Sequence, residues 1–207
     1  MRANFYVDGF NLYYGALKGS PHKWLNLVEF ARHLLPTHTI QRVRYFSAAV
    51  SARVTDPGAP VRQRTYWRAL QTLPEMTIHE GHFLDKKKWL PLVVPPAGGS
   101  PFVRVLTTEE KGSDVNLATM LLVDGFKGDF DVAAVISGDS DLTLPIKMIR
   151  DELKKSIIVF NPRQVHSREL HACASSYRTI RPNAYGSCQF ATPLTDAHGT
   201  ITKPATW

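Results

Sequence analysis

Long hydrophobic runs are missing from this chain of 207 residues. No apolar stretch approaches the roughly 20 residues that a membrane-crossing helix requires, so no membrane partner is expected. The N-terminus shows no basic, apolar and small-residue succession of the secretory kind. It enters directly into the strand-like Asn4-Phe-Tyr-Val-Asp8. Cysteine is scarce: Cys173 and Cys188 are the two present, without metal-ligand spacing, so neither a disulfide framework nor a zinc site is expected. The cytoplasm is the expected compartment. There is no internal repeat. His79 and His82 make no metal pair either, because three-residue spacing on a strand sends side chains to opposite faces.

Positive charge is abundant, and unevenly placed. The net charge is +7. Residues 1–100 hold 13 Lys/Arg and 6 Asp/Glu, whereas residues 101–207 hold 12 of each, so the first half carries the whole excess. A basic surface beside an acidic pocket suits a polyanion presented to bound metal, although solubility alone also explains a basic chain. With 43% hydrophobic residues the chain can bury a substantial core as one domain.

The stretch around which the chain is organised is Val132-Ala-Ala-Val-Ile-Ser-Gly-Asp-Ser-Asp-Leu142. A continuous apolar strand without alternation is the pattern of a parallel strand buried on both faces. It ends in a small-residue turn with two acids, Asp139 and Asp141, where ligands of such sheets bind. Paired acids at one strand end ionise cheaply only beside positive charge, and a hard divalent cation supplies it. The plainer alternative is that Asp139, Ser140 or Asp141 caps the following helix, Leu142 to Leu153.

Other acids fall at matching places. Asp8 ends the first apolar strand, with Asn11 one turn later, where it would orient Asp8 or contact a phosphate. Asp114 opens the helix-patterned segment Val115 to Phe126, where the helix dipole also favours it. Asp124, about 280° further round that helix at ~100° per residue, points elsewhere. Ser137 is placed to hydrogen-bond a ligand acid.

Helix patterns over Leu25–Leu35 and about Asp56–Leu73 alternate with strand patterns over Ile40–Val50 and Met76–Leu84. Arg62, Arg64 and Arg68, interleaved with Tyr66 and Trp67, either grip single-stranded nucleic acid or form a solvated face. The same two readings apply to Lys86, Lys87 and Lys88 beside Trp89, on a protruding basic loop or hairpin over 84–107. Ser156–Asn161 reads as a further buried strand and Tyr177–Ile180 as an edge strand. Residues 183–207, rich in Gly, Pro, Ser and Thr, are expected to form a C-terminal tail without a core of its own. The alternation predicts one three-layer α/β/α domain over 1–182, with a mainly parallel sheet of about five strands.

Val7-Asp-Gly-Phe-Asn-Leu12, Lys111-Gly-Ser-Asp-Val-Asn-Leu-Ala118 and Ser137-Gly-Asp-Ser-Asp-Leu142 together resemble the three signature stretches of the NYN family, within the PIN-like ribonuclease superfamily. The resemblance spans roughly residues 3–181. It implies a Rossmann-like, PIN-like fold and endonucleolytic cleavage of RNA that leaves a 5′-phosphate. Asp8, Asp114, Asp139 and Asp141 match family acids and would hold Mg²⁺ or Mn²⁺; Asn11 matches the family's first-motif Asn. Many relatives carry another Asp where this chain has Met120, which leaves one or two metal ions open.

The expected function is therefore metal-dependent hydrolysis of single-stranded RNA, with DNA as the variant polymer and the oligomeric state open. The competing expectation is a catalytically weak RNA- or protein-binding regulatory module of the same fold. A phosphatase using Asp8 as nucleophile is disfavoured, because the second acid such enzymes place two residues on is Phe10 here.

Overall fold

The computed structural model describes all 207 residues. The central element is β1 (Arg2–Asp8), buried from Ala3 onward. It lies between β2 (Thr39–Ala48) and β5 (Val132–Ile136), both parallel to it. Outside β5 lie β6 (Ser156–Asn161) and the short edge strand β7 (Ser176–Thr179), again parallel. Outside β2 comes β3 (Met76–Pro91), parallel, and then β4 (Phe102–Lys111), the antiparallel edge. The sheet thus has seven strands in the order β4-β3-β2-β1-β5-β6-β7, two more than the expected five. The two extra strands are the edges: β7, read as an edge strand, and β4. Of the loop and the hairpin expected over 84–107, the hairpin forms and contributes β4, with β3 continued through the lysine run.

Alternation along β1 feeds two cores. Ala3, Phe5 and Val7 point to one side, where α2 (Leu27–Leu34) and α3 (Ala59–Gln71) cover the sheet with Val28, Phe30, Tyr66 and Leu70. Tyr6 points to the other, where it meets Leu117 and Leu121 of α4 (Ser113–Lys127), Ile146 of α5 (Thr143–Lys147) and Leu170 of α6 (Arg168–Cys173). This is the three-layer α/β/α arrangement. The helix expected over Leu142–Leu153 is composite: a 3₁₀ turn at Ser140–Leu142, then α5, then a π-helical turn at Met148–Glu152.

Residues 183–207 do not form a separate core; they join the main one. After α7 (Pro182–Ser187) and the small hairpin of β8 (Leu194–Asp196) and β9 (Gly199–Ile201), the terminal Trp207 packs against Trp24 and Tyr66. Tyr185, Phe190 and Ile201 are buried on the way. Their few large apolar side chains outweigh the polar composition around them. Cys173 and Cys188 are free and buried. No helix is long and apolar enough to cross a membrane.

Candidate active site

Three elements deliver the acids to one end of the sheet. Asp8 is the last residue of β1 and the N-cap of α1 (Gly9–Leu12). It is almost fully buried, and three donors hold it. The Asn11 backbone N–H donates to Oδ1 at 2.9 Å. Asn11 Nδ2 and Ser137 Oγ donate to Oδ2 at 2.6 and 2.9 Å. Burial pushes the Asp8 carboxyl upward, and these hydrogen bonds pull it back. Gly9 is required by close approach: a Cβ there would lie 2.7 Å from both Phe46 O and the Tyr45 ring. Asn11 and Ser137 therefore act on Asp8, and Asn11 Oδ1 also accepts from the Gly138 N–H.

The turn after β5 carries the second pair. The Asp139 backbone N–H donates to Ser137 Oγ at 3.0 Å, and Asp139 Oδ1 accepts from the Asp141 N–H at 3.0 Å. Asp139 thus caps the 3₁₀ turn. Capping and metal ligation are compatible, because a carboxylate offers about four lone-pair positions. Asp141 is exposed, and its carboxylate carries no hydrogen bond.

Asp114 lies in the first turn of α4, behind Gly112, whose φ of 100° turns the chain out of β4 into the helix. It caps nothing and accepts no hydrogen bond. Burial first, then the charges of Asp8, Asp139, Glu110 and Asp141, raise its carboxyl from 3.8 to about 6. The four acids therefore share one electrostatic field. None of them pairs with an arginine or lysine, although the chain forms ion pairs freely elsewhere. This donor set, hard oxygens in excess of local positive charge, fits Mg²⁺ or Mn²⁺. As the side chains stand, no three His, Cys, Asp or Glu groups close around a single point. Asp114 and Asp141, free of hydrogen bonds, are the carboxylates able to turn toward an ion.

Two further residues belong to the neighbourhood and escaped sequence reasoning. Glu110 accepts from Ser113 N and Oγ at 3.1 and 2.8 Å, which fixes the entry to α4 and leaves its charge beside Asp114. Its only signal was proximity to Asp114 in sequence. Arg163, exposed and without an acidic partner, packs over the acid turn: a Cβ at position 138 would lie 3.3 Å from its Cδ. Nothing in the sequence links the loop after β6 to that turn.

The cationic candidates divide. Arg62 is bonded to Asp56 at 2.5 Å and lines a cavity of about 740 Å³ to which Gly9 and Phe10 also contribute. Arg64 is exposed and unpaired. Arg68 is held by Asp196 through two bonds of 2.8 and 3.1 Å, at a separate depression formed with β8. Lys86 and Lys87 are exposed on the hairpin, and Lys88 is paired with Glu109. Asp124 lies away from the acids, in the second core, bonded to Arg44 at 2.7 and 2.9 Å and to Tyr6 at 2.8 Å. His79 stacks on Phe46 beside Arg44.

Comparison with known proteins agrees with this architecture. Over its whole length the chain is 28% identical to 6-hydroxy-3-succinoylpyridine 3-monooxygenase HspA of Pseudomonas putida, covering 75% of that protein. A crystal structure of a protein of unknown function from Vibrio parahaemolyticus superposes with a TM-score of 0.56 at 18% identity. The match covers 87% of this chain and 93% of that one, and it speaks to the fold alone. Residues 2–181 match the NYN domain, and the chain accordingly belongs to the NYN domain family, with its PIN-like, nuclease-type fold.

Proposed function

We propose that this protein is a Mg²⁺- or Mn²⁺-dependent endoribonuclease that hydrolyses phosphodiester bonds of single-stranded RNA. The observation that carries the reading is the crowding of Asp8, Asp114, Asp139 and Asp141 at one end of the sheet, unrelieved by any paired cation; burial first, and then this crowding, raise Asp114 to about 6. Folding does not tolerate such crowding for nothing, and perturbed acids in a cleft mark functional sites. A bound divalent ion would polarise the scissile phosphate and activate the attacking water. The chain's own residues do the rest. Asn11 and Ser137 keep Asp8 in one orientation. Asp114, Asp139 and Asp141 supply the remaining oxygens. Arg163, poised over the acid turn, offers its guanidinium to a phosphate oxygen.

The test is calorimetric titration of Mn²⁺ into wild type and Asp139→Asn, then exposure of both to short single-stranded RNA and DNA. Wild type is expected to bind the ion and cut RNA; the variant is expected to lose both while melting as a folded protein. Cleavage that survives EDTA or the substitution overturns the reading. Salt-dependent RNA binding without cleavage in Mn²⁺ makes the protein a binding module instead.

The cavity supports a second reading. Its volume of about 740 Å³ suits a small ligand, and Tyr13, Tyr45, Tyr66 and Trp207 offer ring contacts while Lys18 and Lys23 offer positive charge. The Pseudomonas relative is named for oxygenating a pyridine that bears hydroxyl and succinoyl groups. Saturable binding of 6-hydroxy-3-succinoylpyridine, together with no RNA cleavage in Mn²⁺, would replace the nuclease by a small-molecule-binding protein.

A further inference from the structure

Beyond Gly81, the last residue of β3 paired with β2, β3 runs on to Pro91 with β4 as its sole partner. The ladder from His82↔Lys111 to Pro91↔Phe102 makes a two-stranded arm on the order of 30 Å long, at ~3.3 Å per residue. Residues directly opposite in an antiparallel ladder share a face, and successive residues alternate faces. The register therefore sorts the arm's side chains.

One face begins with Phe83, Asp85, Thr108 and Glu110, all lining the cavity beside the acids. Phe83 packs edge-on against Phe10, two residues after Asp8, at 5.7 Å between ring centres. Further out the same face presents Lys87 opposite Leu106, Trp89 opposite Arg104, and Phe102 opposite Pro91. Trp89 is 65% exposed and Phe102 51%. Lys87 and Arg104 are exposed and have no acidic partner. The opposite face carries Lys86 and Lys88, with Lys88 tied to Glu109. Three consecutive lysines thus look in two directions, and only Lys87 looks along the path to the acids.

We propose that the face formed by Lys87, Trp89, Phe102 and Arg104 is a track for single-stranded RNA that delivers the chain to the acidic centre. This deepens the nuclease reading and rests on it. Trp89 and Phe102 are diagonal neighbours across the ladder, placed to stack two successive bases, and Lys87 and Arg104 flank them to take the phosphates. A second copy of this protein is the weaker occupant. A two-fold interface sets the same patch against itself, so this face with its unpaired Lys87 and Arg104 would meet an equally cationic face, and the chain as a whole is positive.

The test is fluorescence polarisation of the full-length protein with a labelled 12-nucleotide single-stranded RNA in EDTA, which separates binding from cleavage. Trp89→Ala, Phe102→Ala and Arg104→Ala are each expected to weaken binding roughly tenfold. Lys87→Ala should reduce the slope of log affinity against log salt by about 1, whereas Lys86→Ala leaves slope and affinity unchanged. Unchanged melting temperatures show that the variants are folded, as expected for exposed positions. Equal effects of Lys86→Ala and Lys87→Ala, wild-type affinity in the arm-face variants, or no RNA binding by wild type each overturn the track. So does a dimer that Trp89→Ala dissociates without changing RNA affinity. The two readings fail separately. RNA bound through the arm but uncut in Mn²⁺ leaves the track standing and removes the nuclease. RNA cut normally by all arm-face variants does the reverse.

Discussion

Asp114→Asn should make the protein more stable and inactive at once. Asp114 loses its proton near pH 6 in the folded chain instead of at 3.8, so the folded state binds the extra proton between those values. Stability linked to this group is complete below pH 3.8 and is lost as pH rises through 6; above that the ionised carboxylate is a standing cost. The gap of 6 − 3.8 corresponds to about 3 kcal/mol at ~1.36 kcal/mol per pH unit. Asp114 is only half-buried, so solvent screening cuts this to ~1.5 kcal/mol. Losing its interaction with the α4 dipole returns about 0.5 kcal/mol. The net gain of ~1 kcal/mol should raise the melting temperature by roughly 2–4 °C at pH 8. The measurement is thermal unfolding of wild type and variant in EDTA from pH 4 to pH 8. The difference should vanish toward pH 4, where both side chains are neutral. A variant no more stable than wild type at pH 8, or a gain that does not depend on pH, would refute the buried, charge-crowded setting of Asp114 on which the proposed site rests.

Three more outcomes follow from particular contacts. Asp124→Ala strands Arg44 and the Tyr6 hydroxyl inside the second core. It should cost ~3–5 kcal/mol in denaturant unfolding, and a loss below about 1 kcal/mol would mean that water reaches the pair. Arg163→Ala should lower kcat/KM for RNA about tenfold or more without moving the melting temperature, with partial recovery in Arg163→Lys; equal activity would remove Arg163 from the site. Trp207→Ala should cost roughly 2 kcal/mol by thermal or urea unfolding, because its indole packs on Trp24 and Tyr66; no change would mean the C-terminus is only laid on the surface.

What the sequence could disclose depended on how local the deciding forces are. Continuous apolar runs announced β1, β5 and β6, because strands buried on both faces need no alternation. Asp8 and Asp139 were legible because the strand runs stop at or just before them, and Asp114 because a helix-patterned run begins after it. Helical geometry alone separated Asp124 from the site, and its pairing with Arg44 agrees. Failure began where a partner lies far along the chain. Arg68 reads like Arg64 in sequence, yet Asp196 takes one and leaves the other free. No local pattern reveals that the loop holding Arg163 folds over the turn at Gly138. The lysine run shows the boundary between the two cases most clearly. Read as a loop, Lys86, Lys87 and Lys88 are one undirected patch. Once β3 is known to continue through them, the two-residue period alone sends Lys87 toward the acids and its neighbours away. The missing information was not the identity of any residue but the persistence of a strand with too little apolar surface to declare itself.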